Sequence, residues 1–266
     1  MNFIPLLIVG FISGIFSGLF GIGGGVIIVP SLILICGFSM TQASGTSLIA
    51  LLPPVGILGC IHFYKAKMIN FKAAGLIAFG IILTSAFGAR LANQFGDISL
   101  KHFYGWFLLY PSYRFIRPLH YIKLFFHKRG IDIMPLVDIV HKENEARDHW
   151  AGFLAIGLAA GITAGLFGVG GGVIIVPALT GFMYFCPKRA AATSLAVLLP
   201  PVGLPGVIEY YQHGKVALWE SLPVVTGLFA GTLFGARFST KLHPEVMKVS
   251  YGFFLLFVGI RYIHVV

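Results

Sequence analysis

The sequence predicts an all-α polytopic membrane protein made of two homologous halves. Composition, segment length and an internal repeat carry that prediction. Hydrophobic residues make up 57% of the 266 residues and charged residues only 11%, against roughly 25% charged in a soluble domain. Mean hydropathy is +0.90. Ten apolar segments follow one another, several too long and too apolar for a soluble core. The first half also recurs in the second at an offset of 147 residues.

The apolar segments of the first half run over 3–20, 26–38, 45–63, 72–93 and 99–112. Those of the second lie in register at 150–167, 173–185, 190–210, 217–240 and 246–263. Residues 1–19 lack the basic start of a secretory leader, and the repeat begins inside them, so they are read as a membrane segment. The third, fourth and fifth segments of each half have the length of ordinary crossings, about 20 residues. The second segments are shorter, at roughly 13 residues or about 20 Å of helix. Short apolar pieces at matching places in two halves suggest discontinuous or re-entrant helices.

The repeat is densest around a glycine run. Gly21-Ile22-Gly23-Gly24-Gly25-Val26, leading to Pro30, recurs as Gly168-Val169-Gly170-Gly171-Gly172-Val173, leading to Pro177. Of the 17 positions from Gly14 to Pro30, 14 are identical in the second copy. Thr46-Ser47-Leu48 and the block ending in Pro53-Pro54-Val55-Gly56 reappear as Thr193-Ser194-Leu195 and Pro200-Pro201-Val202-Gly203. Phe87-Gly88-Ala89-Arg90 reappears as Phe234-Gly235-Ala236-Arg237, and Tyr104-Gly105 as Tyr251-Gly252. The organisation expected is a first transmembrane repeat over 1–112, a basic cytoplasmic connection over 113–149 and a second transmembrane repeat over 150–266. An odd number of crossings per half makes the halves inverted repeats. The alternation of basic loops fits that: the loop after the second segment is uncharged in the first half and carries Lys188 and Arg189 in the second.

The net charge of +10 is met by the positive-inside bias of cytoplasmic loops. Nucleic acid is not an expected partner, because the basic residues lie in short loops and in the central connection. That connection is a basic amphipathic stretch suited to the membrane surface and its lipids, or to a partner. Cys36, Cys60 and Cys186 are odd in number, sit in apolar segments and form no CxxC pair, so they read as small core hydrophobes. No HExxH, GxSxG, P-loop or carboxylate cluster is present, so neither an enzyme, a metal site nor a cofactor is expected.

Chemistry is expected at the glycine runs. A helix break frees backbone N–H groups, and a helix N-terminus favours anions. Two such termini, opening at Val26 and Val173 and facing each other near the midplane, make a site for a small anion. The expected binding set is Gly21, Gly23, Gly24, Gly25, Val26, Gly168, Gly170, Gly171, Gly172 and Val173, joined by the hydroxyls of Thr46, Ser47, Thr193 and Ser194. Those hydroxyls sit near the starts of the third segments, where they either cap a helix or donate to a ligand. Pro30, Pro53, Pro54, Pro177, Pro200 and Pro201 are expected to break or kink helices beside the site, and freed carbonyls there suit Na⁺. Arg90 and Arg237 are either interfacial anchors or an anion funnel. His62 and Glu209 occupy equivalent positions and are either solvated ends or groups that couple transport to H⁺.

These residues resemble the TauE/SafE family of sulfite and sulfonate exporters. The resemblance covers both halves and rests on Gly18-Leu19-Phe20-Gly21-Ile22-Gly23-Gly24-Gly25 with Pro30, on Gly165 to Gly172 with Pro177, on the Thr-Ser pairs and on Phe-Gly-Ala-Arg. It implies a permease of two repeated halves that moves a small sulfur-containing or organic anion across the bacterial inner (cytoplasmic) membrane. The expected mechanism is secondary transport by alternating access, with H⁺ or Na⁺ as the candidate coupling ion. A passive anion channel, or a scaffold acting through the basic connection, are the readings it competes with.

Overall fold

The computed structural model describes residues 3–20, 23–54, 56–65, 67–116, 149–239 and 244–264. Among them the backbone forms twelve α-helices and no strand. The first half holds α1 (Phe3–Phe20), α2 (Gly25–Cys36), α3 (Met40–Leu51), α4 (Ile57–Lys65), α5 (Phe71–Gln94) and α6 (Asp97–Ile116). The second holds α7 (Trp150–Phe167), α8 (Gly172–Phe182), α9 (Pro187–Val197), α10 (Leu204–Gln212), α11 (Leu218–Ser239) and α12 (Pro244–His264). Each helix of the first half thus has its counterpart six labels on. The helices α5 and α7, and residues 218–235 of α11, are long and apolar enough to cross a membrane. Gly21 and nearly all of the central connection lie outside the described residues, as do the side chains of His62 and Arg237. The helix α6 runs on to Ile116, past residue 112.

Three expectations are corrected. The third segments are not continuous crossings. Each splits at its proline pair, into α3 and α4 around Pro53-Pro54 and into α9 and α10 around Pro200-Pro201. Two successive residues without N–H groups cannot extend the hydrogen-bond ladder. Next, α3 begins at Met40, where Ser39 and Gln42 form a reciprocal capping box. Thr46 and Ser47 therefore lie inside α3, and Thr193 and Ser194 inside α9. Finally, Pro30 and Pro177 do not break helices; both lie within α2 and α8. A proline at position 30 leaves the Val26 carbonyl without its usual donor, and the Tyr104 hydroxyl donates to that carbonyl (3.3 Å). The gap in the ladder is filled from α6.

The halves interlock. The helix α1 packs against α11 and α5 against α7, so the first helix of each half lies on the fifth of the other. The sixth helices, α6 and α12, pair with each other. Glycine sets how closely these seams approach. A Cβ added at Gly10 would overlap the carbonyl of Val224, and one at Gly157 would overlap that of Ile77, the equivalent contact at the 147-residue offset. Gly88 against Ile162 and Gly235 against Ile15 form a second equivalent pair. Small residues at four-residue spacing let helix backbones approach directly, which drives association in lipid where burial of apolar surface cannot. In the third seam Ser112 donates to the Gly252 carbonyl (3.0 Å).

Candidate functional site

The α1 and α7 helices end at the glycine runs, and α2 and α8 restart after them. Gly24 and Gly171 are the N-cap residues of α2 and α8, with φ of 77° and 80°. That left-handed conformation is open to glycine and strained in other residues. The short helices therefore open at Gly25 and Gly172, one residue before Val26 and Val173. Neither N-terminus is capped by a side chain. The Gly24 carbonyl accepts from the amides of Ile27 (3.0 Å) and Ile28 (3.1 Å). The Gly25 and Val26 amides are then first-turn donors with no acceptor inside their own helix.

The two breaks touch. A Cβ at Gly25 would stand 2.8 Å from the Gly168 carbonyl oxygen and 2.8 Å from Val169 Cα. Each break is also met by the broken third segment of the other half. A Cβ at Gly23 would stand 3.0 Å from Leu198 Cδ1, and one at Gly170 would stand 2.9 Å from Leu51 Cδ1, again equivalent positions.

The four expected hydroxyls are all fully buried, and three have protein partners. Ser47 Oγ donates to the Gly168 carbonyl (2.8 Å). Thr46 Oγ1 accepts from the Ala217 amide (3.2 Å) and Thr193 Oγ1 from the Asn70 amide (3.3 Å), so each ties a third segment to the start of the other half's fifth helix. Both threonines keep a hydroxyl proton to donate. Ser194 Oγ has no partner among the described residues.

The end of α7 receives more hydroxyls than Ser47 alone. Tyr210 Oη donates to the carbonyls of Gly165 (2.7 Å) and Leu166 (3.3 Å). A helix C-terminus carries partial negative charge on such carbonyls. Occupying them with donors removes that charge from beside the open N-terminus of α2.

Arg90 and Glu209 come together across the halves. Arg90 Nε donates to Glu209 Oε2 at 2.9 Å, with the arginine side chain 66% exposed and the glutamate side chain 9%. His213 Nδ1 donates to the Glu209 carbonyl (2.8 Å) and lies 3.7 Å from Oε1. The pair joins α5 to α10. The equivalent residues are Arg237 and His62, so the repeat carries a basic residue where Glu209 stands.

The sequence matches the family described as "Sulfite exporter TauE/SafE" over residues 6–262. The chain belongs to the TauE/SafE family. It is 28% identical over 278 residues to the probable membrane transporter protein YunE of Bacillus subtilis, covering 99% of this chain and 98% of the relative. It is 29% identical over 259 residues to the probable membrane transporter protein MJ0441 of Methanocaldococcus jannaschii, covering 92% and 89%. A probable membrane transporter protein of Haemophilus influenzae is 26% identical over 276 residues, covering 96% of each. No solved structure matches. This TauE/SafE chain is an integral membrane protein of a transporter family, helical through most of its described residues.

Sequence reasoning missed three kinds of residue in it. Tyr104 was in view inside the repeated Tyr-Gly block, but its link to the proline-freed carbonyl was not. Tyr210 has Phe63 as its repeat-mate, so the symmetry gave no signal. Asn70, the N-cap of α5, lies outside the repeated blocks.

Proposed function

We propose that this chain is a secondary transporter of a small oxyanion, in the class of sulfite or a sulfonate, across a bacterial cytoplasmic membrane. Its halves are inverted repeats, and alternating access comes from one half rocking against the other. The anion sits where the breaks meet, between the N-termini of α2 and α8. The observation that carries this is the contact of Gly25 with Gly168 and Val169, which sets the uncapped start of α2 against the glycine run that leads into α8. Aligned peptide dipoles put about half a positive charge at each. The free hydroxyl of Ser194 and the remaining protons of Thr46 and Thr193 are further donors. H⁺ or Na⁺ is the candidate coupling ion, with Glu209 and His62 the groups that would carry a proton.

Thermal unfolding of the purified protein with sulfite, sulfate, thiosulfate, sulfoacetate, taurine and simple carboxylates tests this. A ligand at about 100 times its Kd adds roughly 2.7 kcal/mol. A selective rise in Tm, lost in Gly24→Val and Gly171→Val, is expected. No rise with any anion, with or without Na⁺ and across pH, overturns the reading. Uptake into proteoliposomes then separates the transporter from a passive channel: accumulation above the bath concentration, driven by a proton or sodium gradient, is the expected result.

A further inference from the structure

We infer that the two bodies that rock in transport are composite: each is the opening helices of one half completed by the fifth helix of the other. This rests on the alternating-access reading given above and redraws the boundary along which the molecule moves. One body is α1, α2 and α3 with α11; the other is α7, α8 and α9 with α5. The glycine seams set that boundary. Along α1 and α11, a Cβ at Gly10, Gly14, Gly227, Gly231 or Gly235 would overlap a backbone carbonyl of the facing helix. Along α5 and α7 the same holds at Gly88, Gly157 and Gly165, and Thr84 donates across the seam to the Leu158 carbonyl (2.9 Å). Backbone lies on backbone over about two turns, with no side chain between that could change rotamer. Sliding such a seam would bring residues with a Cβ opposite the carbonyls, so each seam moves as a unit.

The breaks travel with these seams. Gly24, the N-cap of α2, is placed so that a Cβ there would meet the Ser13 carbonyl of α1 at 3.1 Å and Leu228 Cδ1 of α11 at 3.2 Å. A Cβ at Gly171, the N-cap of α8, would meet the Ala160 carbonyl of α7 at 3.4 Å and Ile81 Cδ1 of α5 at 3.5 Å. Leu228 and Ile81 are equivalent at the 147-residue offset. The third segments follow the same partition. Thr46 of α3 accepts from the Ala217 amide at the start of α11, and Thr193 of α9 from the Asn70 amide at the start of α5. The helix α10 joins the second body: Tyr210 donates to the Gly165 carbonyl of α7 (2.7 Å), and Glu209 pairs with Arg90 of α5 (2.9 Å). Contacts between the bodies have another character. Their close backbone approaches gather around Gly168, which lies against Gly25 and Ser44. Around that point side-chain ends meet glycines: Leu198 at Gly23, Leu51 at Gly170 and Leu48 at Gly203. A local backbone contact ringed by movable side chains is a pivot, and it stands where the anion is placed.

Cross-linking of the full chain in proteoliposomes tests this. The background carries Cys36→Ala, Cys60→Ala and Cys186→Ala, and three cysteine pairs are placed in it. Phe11→Cys with Phe234→Cys joins α1 to α11, where the two rings now lie 5.7 Å apart. Phe87→Cys with Leu158→Cys joins α5 to α7 at the equivalent positions. Leu48→Cys with Gly203→Cys joins one body to the other. Gradient-driven sulfite uptake is compared after bismaleimidoethane, which bridges two thiols, and after N-ethylmaleimide, which caps each. Thioether bridges survive sulfite, which cleaves disulfides, and mass spectrometry gives the bridged fraction. Where capping alone stops uptake, the pair is moved one turn along the same helices. Both seam pairs, once bridged, are expected to keep about half or more of the capped rate. The bridged Leu48/Gly203 pair is expected to lose about tenfold or more. If a seam bridge stops uptake, the composite bodies are overturned, the sequence halves are what rock, and alternating access stands. Uptake at the capped rate through the bridged Leu48/Gly203 pair overturns the composite bodies as well. If the parent chain accumulates no sulfite under any gradient, the alternating-access reading falls and this one with it.

Discussion

The α1/α11 seam and the break before α2 both depend on glycine, through different properties of the residue. In the seam the backbone is ordinary right-handed helix, and glycine is needed because there is no room for a Cβ. Gly10 abuts Val224, and Gly227 abuts Leu7 and Phe11. At the break, Gly24 has neighbours at ordinary to tight distances, and the demand comes mainly from a φ of 77°. The seam fixes how close the halves lie; the break fixes where a helix starts and which amides are left over. Helix packing and helix starting are therefore separable demands, though one residue type serves both.

The largest effect expected falls on the seam. Gly231→Ala would drive a methyl into the Phe11 carbonyl, and backbone cannot yield as a side chain can. Overpacking of this kind costs about 1–3 kcal/mol or more. A large drop in Tm is expected, with protein lost to aggregate on size exclusion; a normal Tm would break the comparison. At the breaks, Gly24→Ala and Gly171→Ala both meet left-handed strain of about 1–2 kcal/mol. Gly24 has the nearer neighbours, at 3.1 and 3.2 Å against 3.4 and 3.5 Å. The first variant is therefore expected to lose more Tm than the second, and equal losses would remove the distinction between the breaks.

A comparable but asymmetric effect is expected at the ion pair. Arg90→Ala leaves the buried Glu209 carboxylate without its guanidinium, a loss of about 1–3 kcal/mol. Glu209→Gln leaves an arginine that water already solvates, at a cost below about 1 kcal/mol. Chemical denaturation of the two single variants and the double variant checks the order. Of similar small size is Tyr210→Phe, which removes a hydroxyl from the α7 carbonyls and installs the residue that the first half already has at position 63. A loss of about 1 kcal/mol is expected in thermal unfolding.

What the sequence made legible follows from what repeats. The 147-residue offset located both breaks, the short helices after them and the proline pairs. The crossed seams were not legible, although Gly10 with Gly14 and Gly227 with Gly231 show small residues four apart. Spacing says that a face is thin, not which helix lies on it. Arg90 and Glu209 were each in view, but a pairing across 119 positions leaves no local pattern. Pro30 was misjudged because its missing N–H is visible in sequence and the tyrosine that fills the gap is remote.

The crossed seams also bear on how the molecule is made. A membrane chain is threaded into the bilayer from its amino terminus, and α1 emerges with its glycine face bare. Its complement, α11, is one of the last helices translated. At about 5–20 residues per second, the first half waits on the order of ten seconds or more as an incomplete bundle. During that time the glycine face of α1 has not yet met α11. Neither half is a finished product alone, and the length of chain between them sets how long the first must be kept from pairing with the wrong neighbour.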